Sequence, residues 1–351
     1  MPDSHELFPI LPSPLKGLAK SAAEAEHADD GHLIEFRALK VRSILNWSVS
    51  KRRVWMAYSI NPYRGCEFGC RYCYARYTHE FLAPKEGTEM EGSIDLRDPE
   101  VFERVIFIKQ NAAWLLEQEL RKIDPEDQIA LGTATDPYQP IERRARVTRS
   151  LLEVFARQQG LRLGIITKSR LIERDIDLLA EIGRRNSVVV HVTITTTDAE
   201  LARRLEPRAP RPDLRFQAVE RLRAAGVVAG VMCSPLLPGI TDTAEALDRV
   251  AKRAAEVKAS FFVANPLFLK PCSRPTYFQF VEEHFPALMG AYAKQYDSAD
   301  FVSGSYRRNI AAMVEAARQR HGLTPRSMEA LLHEKKTPEA VRIPKQQKLF
   351  G

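Results

Sequence analysis

The stretch Asn61-Pro-Tyr-Arg-Gly-Cys66-Glu-Phe-Gly-Cys70-Arg-Tyr-Cys73-Tyr74 sets three thiols within eight residues at C-x3-C-x2-C spacing. The apolar run just before it, Trp55-Met-Ala-Tyr-Ser-Ile60, has β character, so the cysteines fall on the loop that follows a strand. Three thiolates this close can hold one compact metal centre. Gly65 and Gly69 let the loop curl and bring backbone N–H groups toward the sulfurs of a cluster. The chain of 351 residues has five Cys, an odd count that forms no disulfide framework. That usage points to a reducing, cytoplasmic setting and to a metal or catalytic role.

Working outward, the pattern of a short β-type run followed by a loop and an amphipathic helix repeats. The further runs are Gln128–Ala134, Leu161–Thr167, Ser187–Ile194, Val227–Met232 and Ser260–Ala264. Helical spacing is clearest over Leu171–Gly183 and Asp213–Gly226. Strand–helix alternation implies a parallel sheet covered by helices. Six such units predict an α/β fold with an open, partial (β/α)6 barrel, the alternative being a doubly wound sheet. Either architecture gathers functional groups at the C-terminal ends of strands. Val105–Lys109 reads as a small extra strand before a helix over residues 112–121. The domain organisation read from composition is a Pro-rich and then polar tail over residues 1–35, one domain over 36–333, and a Lys/Gln-rich tail over 334–351.

Three cysteines rather than four matter chemically. A four-iron cluster held by three leaves one iron open, and that iron can chelate the amino and carboxylate groups of a small molecule. The spacing, with Tyr72 before the third Cys, resembles the signature of the radical S-adenosylmethionine (SAM) superfamily. The strand tips narrow the resemblance to its spore photoproduct lyase-like branch: Gly132-Thr-Ala-Thr-Asp136, Ile166-Thr-Lys-Ser169, Val192–Asp198 followed by Leu205-Glu-Pro-Arg208, and Cys233–Asp242. The resemblance covers roughly residues 40–300. It implies that Cys66, Cys70 and Cys73 hold a 4Fe-4S cluster and that SAM binds its open iron. An external one-electron reductant of flavodoxin or ferredoxin type then drives formation of a 5′-deoxyadenosyl radical. By position, Thr135, Asp136 and Thr193 belong to the cofactor site, Lys168 pairs with the cofactor carboxylate, and Tyr72 and Tyr74 match tyrosines implicated in hydrogen-atom relay. One position departs from that branch. Three residues before Asp136 it carries a Cys that returns a hydrogen atom to the substrate radical, and this chain has Thr133. An O–H bond is a poor hydrogen-atom donor beside S–H. Cys233 and Cys272, at or beyond strand ends, are the remaining thiols.

Other readings stay open on the sequence. His79, six residues after Cys73, fits a fourth ligand of a zinc knuckle in a non-enzymatic nucleic-acid-binding protein. For a radical enzyme, DNA in a repair-like reaction competes with RNA, a peptide or a small molecule as substrate. Lys plus Arg number 52 against 45 acids, a net charge of +7. Arg143, Arg144, Arg146 and Arg149 follow the second run, and Arg203, Arg204, Arg208, Arg211 and Arg215 follow the fourth. They either guide a phosphate backbone or form solvated faces beside acids such as Glu142 and Glu206. The closing segment Gln346-Gln-Lys-Leu349-Phe350 resembles peptides that dock on bacterial sliding clamps, two apolar anchors on a polar arm. The longest uncharged run, Ala224–Ile240, is too short to span a bilayer and carries three Gly and two Pro, so no membrane is expected as a partner.

Overall fold

The computed structural model describes residues 34–47, 56–82, 95–297 and 299–325. Backbone contacts separate Met1–Ile34 from Glu35–Gly351, and every element named below belongs to the latter. Apart from Ile34 and Glu35, the expected tails, including Gln346, Leu349 and Phe350, lie outside the described residues.

Ten strands run through the described chain: β1 (Glu35–Leu39), β2 (Leu45–Trp47), β3 (Tyr58–Ile60), β4 (Tyr63–Arg64), β5 (Val105–Lys109), β6 (Gln128–Leu131), β7 (Arg162–Thr167), β8 (Ser187–Thr193), β9 (Val228–Leu236) and β10 (Phe262–Pro266). The main sheet has the order β10-β9-β8-β7-β6-β3-β2. Six of its strands are parallel, and β2 pairs antiparallel with β3. Between consecutive parallel strands run α1 (Ala112–Glu119), α2 (Val147–Ala156), α3 (Ile176–Arg185), α4 (Ala199–Leu205), α5 (Pro212–Ala224) and α6 (Ala244–Glu256). After β10 come α7 (Arg274–His284), α8 (Met289–Tyr296) and α9 (Gly304–His321). The sheet is therefore a parallel one with helical crossovers, as the alternation predicts. Its middle strands are covered on both faces and read as continuous apolar runs: Val188, Val189, Val190 and Val192 of β8 are all buried.

The helices begin where the sequence supplies caps. The Asp198 carboxylate accepts from the N–H groups of Glu200 and Leu201 at 2.9 and 3.1 Å at the start of α4. The Thr243 hydroxyl accepts from Ala246 N at 3.1 Å at the start of α6, and Pro212 occupies the first turn of α5. Along α5, Phe216, Val219 and Leu222 bury one face at helical spacing.

The strands differ from the predicted runs in three ways. β6 stops at Leu131 because Gly132 turns the chain at φ 92°, where a Cβ would lie 2.5 Å from Pro137 Cδ and 2.6 Å from the Ile166 carbonyl. β9 continues to Leu236, past Pro235, since β10 pairs with it out to a Leu236–Pro266 partnership after a register shift. The predicted extra strand Val105–Lys109 exists, but in a separate sheet of order β1-β5-β4. β1 pairs with it from Glu35, the last of the residues read as a tail, so the domain begins one residue earlier than expected.

Candidate active site at the strand tips

The cysteine loop leaves β3 and is pinned on several sides. The Asn61 carboxamide spans to the next strand tip, accepting from Ala134 N at 2.8 Å and donating to Thr133 Oγ1 at 3.3 Å. Gly65 sits at φ 85°, where a Cβ would lie 2.7 and 2.8 Å from the carbonyls of Val105 and Phe102, so only glycine fits this close approach. Cys66 N donates to that Phe102 carbonyl at 3.0 Å. The Glu67 carboxylate accepts from Ile141 N at 2.6 Å, and Glu67 N donates to Gln139 Oε1 at 2.8 Å. Arg208 donates from Nε to the Glu67 carbonyl and packs where a Gly69 side chain would go. Arg208 and Arg76 share Glu103, at 3.4 and 2.9 Å. Burial alone pushes the Glu103 carboxyl up, and the two guanidiniums outweigh that and hold it below its ordinary value. Ser273 Oγ closes the far end by donating to the Cys73 carbonyl at 2.7 Å.

Cys66, Cys70 and Cys73 line one cavity of about 350 Å³. Its other walls are the tips of the parallel strands: Gly132–Asp136 after β6, Ile166–Lys168 at β7, Thr193 at β8, Met232 and Ser234 on β9, and Asn265 on β10. Three thiols on the wall of one cavity are the donor chemistry that a cluster with one open iron takes. Burial pushes the Cys66 thiol well above its ordinary value, with Asp136 adding to the shift. It pushes Cys70 up to about 12 against the pull of Lys168. Cluster binding must displace these protons. His79 does not line the cavity: it is fully buried between Phe102 and Phe107, with Nε2 2.9 Å from the Val105 carbonyl.

The strand-tip residues singled out from the sequence do come together here. Thr135 donates its hydroxyl to the Gly65 carbonyl at 2.6 Å and accepts from Gln139 Nε2 at 3.0 Å, binding the β6 tip to the cysteine loop. Asp136 is buried and accepts from Thr167 Oγ1 and Lys168 N, both at 2.7 Å, and from Tyr138 N at 2.9 Å. It thus bolts the β6 tip to the β7 tip, and burial raises its carboxyl above the usual range despite these donors. Thr193 is buried at the end of β8 on the cavity wall. The Lys168 ammonium lies 5.6 Å from the centre of the Tyr72 ring. Burial opposes its charge, but Cys70 and Glu206 raise it above the ordinary lysine value, so it stays protonated. Tyr72 is buried and donates its hydroxyl to Glu206, whereas Tyr74, 39% exposed, donates to the Thr133 carbonyl.

Sequence reasoning missed Glu206 as a site residue. It is fully buried, 2.5 Å from Arg215 Nη2, and Arg215, Lys168 and Tyr72 together hold its carboxyl below the ordinary value against burial. The expectation that Arg215 guides a phosphate backbone is therefore corrected: its side chain is 1% exposed and neutralised by Glu206. Arg208 is spent on the cysteine loop and Arg149 on Asp175 at 2.5 Å. Arg143, Arg144, Arg146, Arg203, Arg204 and Arg211 are exposed. Cys233 is also corrected. It lies inside β9, between the cavity-lining Met232 and Ser234, so strand alternation turns it away, and its thiol meets the Thr195 carbonyl at 3.6 Å. Cys272 sits beside Ser273, outside the cavity lining.

Known proteins agree with this arrangement. The chain matches the Radical SAM superfamily over residues 60–252. An uncharacterised protein of Mycobacterium bovis is 33% identical over 79% of this chain and 78% of its own length. One from Methanocaldococcus jannaschii is 29% identical over 53% of this chain and 62% of its own. Solved structures of spore photoproduct lyase variants match with TM-scores of 0.58 and 0.56 at 16% and 12% identity, covering 82% of this chain and 79% of theirs, and so share its fold. The cysteine loop after β3, the parallel strand tips from β6 to β9 and the family match that spans them lead to one assignment: this chain is a member of the radical SAM superfamily and an enzyme of that type.

Proposed function

We propose that Cys66, Cys70 and Cys73 hold a 4Fe-4S cluster, that SAM binds in the cavity beside it, and that the enzyme acts on nucleic acid. The observation that carries the first two statements is the convergence of the three cysteines with five strand tips on one cavity. When bound and reduced by a flavodoxin- or ferredoxin-type donor, the cluster and SAM supply a 5′-deoxyadenosyl radical. The chain's own residues position and enclose that chemistry. Lys168, lying over Tyr72, offers a positive charge to the cofactor carboxylate, and the charge of Glu206 favours its protonated form. Thr193 and the acceptor side of Thr135 offer hydroxyl oxygens, and Asp136 holds the β6 and β7 tips in register. Phe68, Met232 and Phe268 give the cavity apolar walls that exclude water. Tyr72 and Tyr74 are the candidate hydrogen-atom carriers. Residues 36–333 make up this catalytic domain, working in a reducing cytoplasm.

The substrate reading rests on the shared fold with spore photoproduct lyase, one solved form of which holds SAM and a dinucleoside photoproduct. The chain's excess of Lys and Arg supports it. Direct reversal of the photoproduct is not part of the proposal. Thr133 stands where a hydrogen-donating thiol is needed, and both of its oxygens are engaged, Oγ1 by Asn61 and the carbonyl by Tyr74. Purified without oxygen, the protein should be brown, with about four irons per chain and the Mössbauer signature of a cubane. Colourless protein with one zinc per chain would contradict the assignment.

A further inference from the structure

An aromatic row leaves the cavity and runs into solvent. Tyr74 follows the last cysteine of the loop, Phe268 comes just after β10, and Phe301 precedes α9. An isolated antiparallel bridge joins Phe268 to Phe301, and Leu269 N donates to the Asp300 carbonyl at 2.9 Å. The Tyr74 and Phe268 rings are 5.8 Å apart, and Phe268 stacks on Phe301 at 4.5 Å with 23° between planes. Tyr74 and Phe268 line the cavity, while Phe301 remains 46% exposed. Leaving a phenylalanine half in water forfeits part of the stabilisation that its burial would supply. Beside this row lies Lys270, its ammonium 4.8 Å from the Tyr77 ring centre and 5.7 Å from that of Phe268. No carboxylate among the described residues pairs with it, whereas nearby Arg274 is neutralised by Asp300 at 3.1 Å.

We propose that Tyr74, Phe268 and Phe301, with Lys270, form a platform on which unpaired bases of a single-stranded nucleic acid stack at the mouth of the cavity. This rests on the nucleic-acid reading above and names the device that reads the substrate. Partly exposed rings beside a cation that no described carboxylate pairs with ask for a ligand that carries flat rings and an anion at short spacing. A nucleotide strand carries both. An apolar peptide would cover the rings and leave the ammonium without a partner. A duplex keeps its bases stacked on one another and offers them to the rim only when one is extruded.

The test is fluorescence anisotropy on the full, anaerobically reconstituted chain with a fluorescein-labelled oligothymidine of about 12 nucleotides, against a duplex of the same length. The wild type should bind the single strand at least about tenfold more tightly than the duplex. Phe301→Ala should lose about 5- to 100-fold in single-strand affinity, while Phe301→Tyr, which keeps the ring, should bind like the wild type. Lys270→Gln should flatten the slope of log K against log salt by ~0.7, one phosphate contact on a single strand. Iron content and Tm are read alongside for every variant. If Phe301→Ala fails to fold, the Lys270→Gln slope and the duplex comparison decide the matter. Equal single-strand affinity in wild type and a folded Phe301→Ala, an unchanged salt slope, or tighter binding of duplex would overturn the platform while leaving the cluster standing. A wild type without iron–sulfur absorbance would instead sink the reading on which the platform rests.

Discussion

At Glu206 the charges behind the cysteine loop meet: Arg215 at 2.5 Å, the Tyr72 hydroxyl, and the field of Lys168. Removing one member of a buried pair strands the other, so Glu206→Gln should cost about 3–5 kcal/mol in urea unfolding, because Arg215 is left charged and without its partner. A loss below about 1 kcal/mol would mean that Arg215 finds another partner or water. The sequence shows Glu206-Pro-Arg208 after a threonine-rich strand end, but it does not say that Glu206 faces inward. The pattern is too short for a helical period, and the Glu–Arg partnership spans nine positions, from 206 to 215, with a turn between. A second residue-scale expectation concerns Lys109, buried on β5 beside Arg64. Burial, with Arg64 adding to it, brings its ammonium down from 10.5 to about 8. Between those values the unfolded chain keeps a proton that the folded chain has lost. Stability should therefore rise as pH increases through this window, by roughly 3 kcal/mol relative to Lys109→Met. Parallel unfolding free energies for the two proteins across the window would refute it.

The cysteine loop is the element whose placement was most legible in the sequence, because spacing, glycines and the preceding strand all describe one local object. What holds it in place was not legible: the carbonyls of Phe102 and Val105, the Arg208–Glu103–Arg76 cluster and Gln139 all come from distant segments. Gly65 makes this testable. A methyl group there meets two backbone carbonyls that cannot swing away, so Gly65→Ala should reduce bound iron several-fold after reconstitution, with far-UV circular dichroism little changed. Iron equal to wild type would show that the loop adapts. The strands were legible where apolar runs are unbroken, as in β7 and β8. The reading stopped short on β9, where Pro235 and a polar Ser234 mask a strand that continues. It missed β1, whose Glu35 and Arg37 face outward and look like the end of a polar tail. The aromatic rim was invisible for a related reason, since Tyr74, Phe268 and Phe301 are brought together only by the fold.

For the whole molecule, the parallel sheet and its helices bring residues from Cys66 to Phe268 to one opening. No described helix is long and apolar enough to cross a membrane. The basic excess and the closing Gln346–Phe350 segment bear on partners. We propose that this segment docks on a sliding clamp, and deleting Leu349 and Phe350 should abolish clamp recovery in a pull-down; equal recovery would remove the idea. Ultraviolet-irradiated DNA should yield little or no repaired thymine, in keeping with Thr133 in place of a thiol. The account as a whole turns on whether the three cysteines support reductive cleavage of SAM. The direct measurement is 5′-deoxyadenosine released by the anaerobically reconstituted, dithionite-reduced chain with SAM, quantified by chromatography beside the Cys66→Ala/Cys70→Ala/Cys73→Ala triple variant. Release by the wild type and none by the triple variant is the expected result. Equal release by both, or none by a wild type carrying a full complement of iron, would contradict it.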